Sequence, residues 1–315
     1  MTSSAFLLAG FIPASSLFAL SATEIRPLAA VGLGLAAAIT WGGSDFTGGL
    51  GARRVPAILI TASGHLVTLL VLLAVCIFGH LPLPHRTEFF EAAIGGVEGS
   101  LALIAFYRAL SMGAMGLTAA LTGLLTALVP VLFGLWSEGL PAPLAAVGLL
   151  LGVVAIFLVC YSGRHSPGHN TPPSALLLGA ISGIGFGVQL ILFKLAARDG
   201  VLWALTSARI GGVLGMTAIL LFAWPRRNGS NTQGQGRVWT GFWRIGILAG
   251  ALDTIGNLGY TLAAHAGRID LAATVSSLYP GFTILLAALI LRERPTRTQT
   301  LGMAVALASV VLLSL

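Results

Sequence analysis

The chain has 315 residues, 56% of them hydrophobic and only 9% charged, with a mean hydropathy of +0.94. A water-soluble domain carries about a quarter of its residues as Asp, Glu, Lys or Arg, so this composition excludes one. The formal net charge is +7, but Lys194 is the one lysine and the arginines lie scattered between apolar runs. That distribution marks topology and excludes a stripe tracking nucleic-acid phosphates.

In chain order, residues 5–21 come first, apolar but short, broken by Pro13 and not preceded by a basic residue. They match a signal peptide poorly, and an interfacial segment, an extra helix or a start placed too early all stay open. Ten apolar runs follow, each close to the length that crosses a bilayer as a helix. They are 28–50, 56–79, 91–110, 114–136 and 142–161, then 174–195, 201–224, 241–264, 270–291 and 297–315. A polar linker rich in His and Pro, 163–173, separates the two sets, and the longest polar loop is 225–240. The runs are continuously apolar rather than alternating, which excludes the strands of a barrel.

The two sets correspond. Leu271–Leu315 is an apolar helix, a charged turn (Arg292-Glu293-Arg294-Pro295) and a second apolar helix with an early glycine, Gly302. A weaker copy runs over Leu117–Ser162, with the turn Ser137-Glu138-Gly139-Leu140-Pro141 and Gly148. Ala109/Ala263, Gly113/Gly267 and Leu117/Leu271 share one spacing, Glu138/Glu293 follow after a one-residue shift, and Arg53/Arg198 close the first helix of each set. Five is an odd number, so a second copy enters the membrane from the opposite face. The expected fold is an all-α polytopic membrane protein of ten transmembrane helices, arranged as two inverted five-helix repeats. Residues 1–27 form an apolar amino-terminal segment, 28–162 the first repeat, 163–173 the linker and 174–315 the second repeat. Arginines concentrate in the loops after odd-numbered helices, from Arg53 and Arg54 to Arg292, Arg294 and Arg297. The positive-inside rule places those loops in the cytoplasm and the carboxyl terminus outside.

Small-xxx-small pairs such as Gly95/Gly99, Gly179/Gly183, Gly211/Gly215 and Gly246/Gly250 predict close helix packing. Cys76 and Cys160 lie inside apolar runs and read as small packing residues rather than a disulfide or metal pair. Ionisable side chains at membrane depth are costly and face a cavity or a partner. Here they are Asp45, His65, Glu98, Arg209 and Asp253. Glu98 and Asp253 fall at nearly matching depths of the two sets, as do His65 and Arg209, which predicts two pairs, His65–Glu98 and Arg209–Asp253, facing one cavity. Register-fixing ion pairs are the plainer alternative. Asp253, Asn257 and Tyr260 share a helical face, as do Trp41 and Asp45, and Gln189 lies near Phe186 and Phe193. These nine residues, Trp41 to Tyr260, are the candidates for binding a solute or a proton. Glu138 and Glu293, at turns, read as caps or partners of neighbouring arginines.

Trp41-Gly42-Gly43-Ser44-Asp45-Phe46, Phe106-Tyr107-Arg108-Ala109-Leu110 and Ser277-Leu278-Tyr279-Pro280 followed by Arg292-Glu293-Arg294-Pro295 together resemble the EamA family of the drug/metabolite transporter superfamily, over about residues 28–315. The resemblance implies a ten-helix carrier of two EamA-like halves that moves small organic solutes, often outward. Two features depart from the family: Leu125 stands where the second copy has Pro280, and family members are drawn with both termini in the cytoplasm. The expected function is therefore a secondary transporter of an amino acid, amine or related solute, working by alternating access in a bacterial-type inner membrane. Its partners are the solute and the bilayer, with no nucleic acid, no cofactor and no metal; no Gly-x-x-x-x-Gly-Lys loop or His-Glu-x-x-His motif is present. The alternative is a membrane-embedded enzyme acting on a lipid or isoprenoid headgroup, which would gather His, Asp and Arg near one membrane face. A non-transporting scaffold or sensor is a third reading, and the oligomeric state stays open.

Overall fold

The computed structural model describes residues 27–112, 115–161, 172–223, 235–290 and 297–313. The segment 5–21, nearly all of the linker, much of the loop 225–240, Glu293 and its turn, and the side chain of Cys160 lie outside them. Among the described residues the regular structure is helical throughout: α1 Pro27–Ala52, α2 Ala57–Phe78, α3 Arg86–Met112, α4 Met115–Ser137, α5 Pro143–Tyr161, α6 Pro173–Ala196, α7 Val201–Ala223, α8 Gln235–Ala266, α9 Ile269–Ser276, α10 Tyr279–Ile290 and α11 Arg297–Leu313. A 3-10 turn, Ala197–Asp199, links α6 to α7.

Five stretches among the described residues are long and apolar enough to cross a bilayer: Ala57–Phe78, Arg86–Met112, Pro173–Ala196, Val201–Phe222 and Ile269–Ile290. The last holds both α9 and α10. Pro280 has no N–H to continue the helical ladder, and the chain turns at Ser277 and Leu278 before α10 starts. Its counterpart α4 carries Leu125 instead and runs unbroken, with Pro130 inside it.

Large side chains such as Leu70, Ile77, Phe78 and Trp136 face outward, at 60%, 60%, 82% and 82% exposure. The interior holds Ala, Gly, Ser and Thr around a few aromatic rings. Apolar bulk outside and small or polar groups inside suit a bilayer, where close backbone approach and hydrogen bonds replace the hydrophobic effect.

Packing joins the two parts of the chain. α1 lies along α8, and α6 along α3; α2 crosses α8, and α7 crosses α3; α10 packs on α1, and α4 on α6. Exchanging each helix before residue 162 for its counterpart after residue 172 maps these contacts onto one another, while α2·α7 and α5·α11 map onto themselves. The crossings are made by glycine. A Cβ on Gly64 of α2 would stand 2.6 Å from the Gly246 carbonyl oxygen and 2.8 Å from the Gly250 Cα of α8. In the matching crossing, a Cβ on Gly211 of α7 would strike the Ala93 carbonyl of α3, and one on Gly96 the Ala208 carbonyl. Two buried tyrosines act alike: Tyr107 on α3 bonds the Ser44 hydroxyl of α1 at 3.0 Å, and Tyr260 on α8 donates to the Leu190 carbonyl of α6 at 3.1 Å. Cys76 is a buried free thiol beside the Thr206 hydroxyl, 3.3 Å away, between α2 and α7.

Candidate functional site

A small cavity, about 40 Å³, lies between the two parts of the chain. Trp41 and Asp45 of α1, Leu103 of α3 and Thr126 of α4 line it from one side. Phe186, Gln189 and Leu190 of α6, Asp253 and Asn257 of α8, and Tyr279 of α10 line it from the other. The residues recur at helical spacing, one turn apart in Trp41/Asp45, Phe186/Leu190 and Asp253/Asn257, so each helix turns one stripe inward.

Behind the cavity wall, Arg209 of α7 holds the polar groups together. Its Nη2 donates to Asp253 Oδ2 at 2.5 Å and to Thr254 Oγ1 at 2.9 Å, and its Nη1 donates to His65 Nε2 at 2.7 Å. Asn257 Nδ2 also donates to Asp253 Oδ2, at 3.1 Å. A guanidinium has only donors, so His65 Nε2 accepts and the imidazole carries its hydrogen on Nδ1. That Nδ1–H points at Ser100 Oγ, 3.2 Å away, and the Ser100 hydroxyl in turn donates to the Gly96 carbonyl at 2.6 Å. The chain of donors closes without a positive charge on His65.

The structure thus brings Arg209 and Asp253 together as a pair, with His65 as a third member, its Nε2 3.9 Å from Asp253 Oδ2. The expected His65–Glu98 pair is absent among the described contacts. Residues 98 and 100 of a helix lie about 200° apart around its axis, and α3 turns Ser100 toward α2. Glu98 faces α6, where a Cβ on Gly185 would collide with its Oε1, and its Oε2 is buried without a hydrogen-bond partner. Five sequence candidates line the cavity: Trp41, Asp45, Gln189, Asp253 and Asn257. His65 and Arg209 stand behind them. Tyr260, with no exposed surface, supports Trp41 from beneath (ring centroids 5.9 Å apart) rather than facing the space.

Sequence reading missed Tyr279, Thr126, Leu103 and Leu190 as lining residues. Tyr279 had a signal, since it opens α10 at the Pro280 break and sets its ring edge-on to Trp41 at 6.1 Å. The other three have none beyond apolar spacing. Gln189 Nε2 donates to the Gly95 carbonyl at 3.2 Å, so it joins α6 to α3 as well as lining the cavity. Among the described residues, no group of three or more His, Cys, Asp or Glu is placed to hold a metal ion.

A second polar cluster lies at one end of α4, α6 and α9. Glu138, at the end of α4, pairs with Lys194, one turn beyond Leu190, and its Oε2 accepts the Ile269 N–H at 3.2 Å. Glu138 is therefore a helix cap, as its turn position implied, but its ionic partner is a lysine from α6. Arg268 donates to the Glu138 and Gly139 carbonyls at 3.1 and 2.5 Å and to Asp270 Oδ2 at 2.8 Å. The bond to Asp270 holds the Arg268 guanidinium above its ordinary pKa.

Similarity to known proteins agrees with this architecture. An uncharacterized protein of Methanocaldococcus jannaschii is 25% identical over 142 residues, which are 45% of this chain and 97% of that protein. A solved crystal structure superposes with a TM-score of 0.64 at 20% identity, covering 91% of this chain and 98% of that one, and so shares the fold. Residues 173–315 match the EamA-like transporter family, in keeping with the drug/metabolite transporter superfamily.

Proposed function

We propose that this protein is a secondary transporter that carries a small organic solute across a cell membrane by alternating access, with efflux as its direction. The observation that carries the reading is the cavity between the halves, lined by α1, α3 and α4 on one side and α6, α8 and α10 on the other. A site shared by two halves can be opened to either face by rocking one half against the other. Ten spans in two inverted repeats fit the exchange of helix contacts, the two glycine crossings and the two buried tyrosines, with α9 and α10 together forming one span. The break before Pro280 supplies a point where that span can bend. Glu138, Lys194 and Arg268 tie α4, α6 and α9 together on one side of the cavity. Closing that side during one half of the cycle is a task such a tie can perform.

Trp41, Asp45, Gln189, Asp253 and Asn257 form the solute site in this reading, and His65 and Arg209 position Asp253. The test is solute counterflow in proteoliposomes with a panel of labelled amino acids, amines and sugars. At least one should accumulate above protein-free liposomes, and Asp253→Asn should reduce its uptake at least tenfold. Folded protein that moves nothing in the panel, and confers no tolerance to any of these solutes when overproduced, would argue against transport.

A further inference from the structure

The two carboxylates on the cavity differ in their surroundings. Asp253 receives hydrogen bonds from Arg209 and Asn257. Asp45 is only 6% exposed, its Oδ2 is buried without a hydrogen-bond partner, and no ion pair among the described residues includes it. A carboxylate taken out of water with neither donor nor cation is expensive. The neighbours do not relieve it. Arg209 is already committed to Asp253, and His65 accepts from Arg209 and so brings no charge. With both aspartates ionised, the cavity is one positive charge short.

Aromatic faces stand around that gap. Trp41 lies one turn before Asp45 on the same face of α1, Tyr279 packs edge-on to it, and Phe186 closes the space from α6. Such faces attract cations, the more so in a desolvated pocket. We propose that the cavity binds an organic cation, a protonated amine or quaternary ammonium on a compact apolar body, with Asp45 as its counter-charge. That such a cation also crosses the membrane rests on the transporter reading above; its binding does not.

The experiment uses the full chain purified in detergent and three ligands with one body and different charge: phenethylamine, 2-phenylethanol and phenylacetate. Calorimetric titration should show phenethylamine binding at least tenfold more tightly than the alcohol or the acid. Asp45→Asn should remove that preference while keeping, or raising, the melting temperature, because it deletes an unpaired buried charge. Asp45→Glu should restore the preference. Equal affinities for amine and alcohol, tighter binding of the acid, no amine binding by folded protein, or an unchanged preference in Asp45→Asn would each overturn the proposal. The two readings separate cleanly: Asp45-dependent binding without flux in liposomes sinks transport and keeps the cation site. Flux of neutral or anionic solutes by a protein that does not bind the amine does the reverse.

Discussion

Removing Arg209 should destabilise the protein by stranding a carboxylate in its interior. Arg209 is 4% exposed and its guanidinium serves Asp253, Thr254 and His65 at once. In Arg209→Met, Asp253 retains the Asn257 amide as its described donor, and a buried carboxylate stays without its cation. Breaking a buried pair from one side costs about 3–5 kcal/mol; the 14% exposure of the Asp253 side chain puts this case near the lower end, about 3 kcal/mol. The double variant Arg209→Met/Asp253→Asn leaves neither member of the pair charged, so it should recover more than half of the loss even though the ion pair is gone. Thermal unfolding in one detergent, with all three proteins at equal concentration, reads the order directly: wild type, double variant, single variant. A single variant as stable as wild type, or a double variant no better than the single, would refute the claim that Arg209 acts by neutralising Asp253.

Three further outcomes follow from the packing. Gly64→Val forces a branched side chain against the Gly246 and Gly250 backbone and should cost about 1–3 kcal/mol, whereas Gly32→Ala, with nothing within 4 Å, should stay within about 0.5 kcal/mol of wild type; melting curves compare them. Arg268→Ala strands Asp270, which has no exposed surface, and should cost about 3 kcal/mol or more. Because the folded state raises the Arg268 pKa, its contribution is complete below the unfolded value and fades only as pH rises through the folded one. The wild-type minus Arg268→Ala difference in melting temperature should therefore be flat across neutral pH, and a difference that vanished between pH 6 and 8 would contradict it. Tyr260→Phe removes the bond to the Leu190 carbonyl and should cost about 1–2 kcal/mol while leaving solute affinity within about twofold, since Tyr260 stands behind Trp41; binding titration and unfolding separate the two effects.

The parts of this molecule that were legible in the sequence are those where chemistry at membrane depth leaves few options. Arg209 and Asp253 had to be neutralised, and both fall at membrane depth within the second set. Hydropathy found the helices but cut their polar ends short. α3 begins at Arg86 rather than 91, because Glu88 and Glu91 are paired with Arg198 and keep the first turns helical. α8 likewise begins at Gln235 rather than 241. The rotation of α3 was not legible. Whether Glu98 or Ser100 meets His65 depends on how Gly95, Gly96 and Gly99 seat that helix against α6 and α7, which is a property of the crossing and not of the residue types. Tyr260 was misplaced for the same reason: sharing a face with Asp253 and Asn257 says nothing of how far up that face the cavity extends.

Alternating access requires one cavity to be reached from both sides of the membrane. Thr126→Cys, in a chain with Cys76→Ala and Cys160→Ala, places a thiol on the cavity wall at little steric cost. A membrane-impermeant methanethiosulfonate, applied to the inside or the outside of oriented vesicles, measures access from each face. Labelling from both faces, with a transported solute slowing both, is the predicted result. Labelling confined to one face while solute still crosses would contradict alternating access at this site.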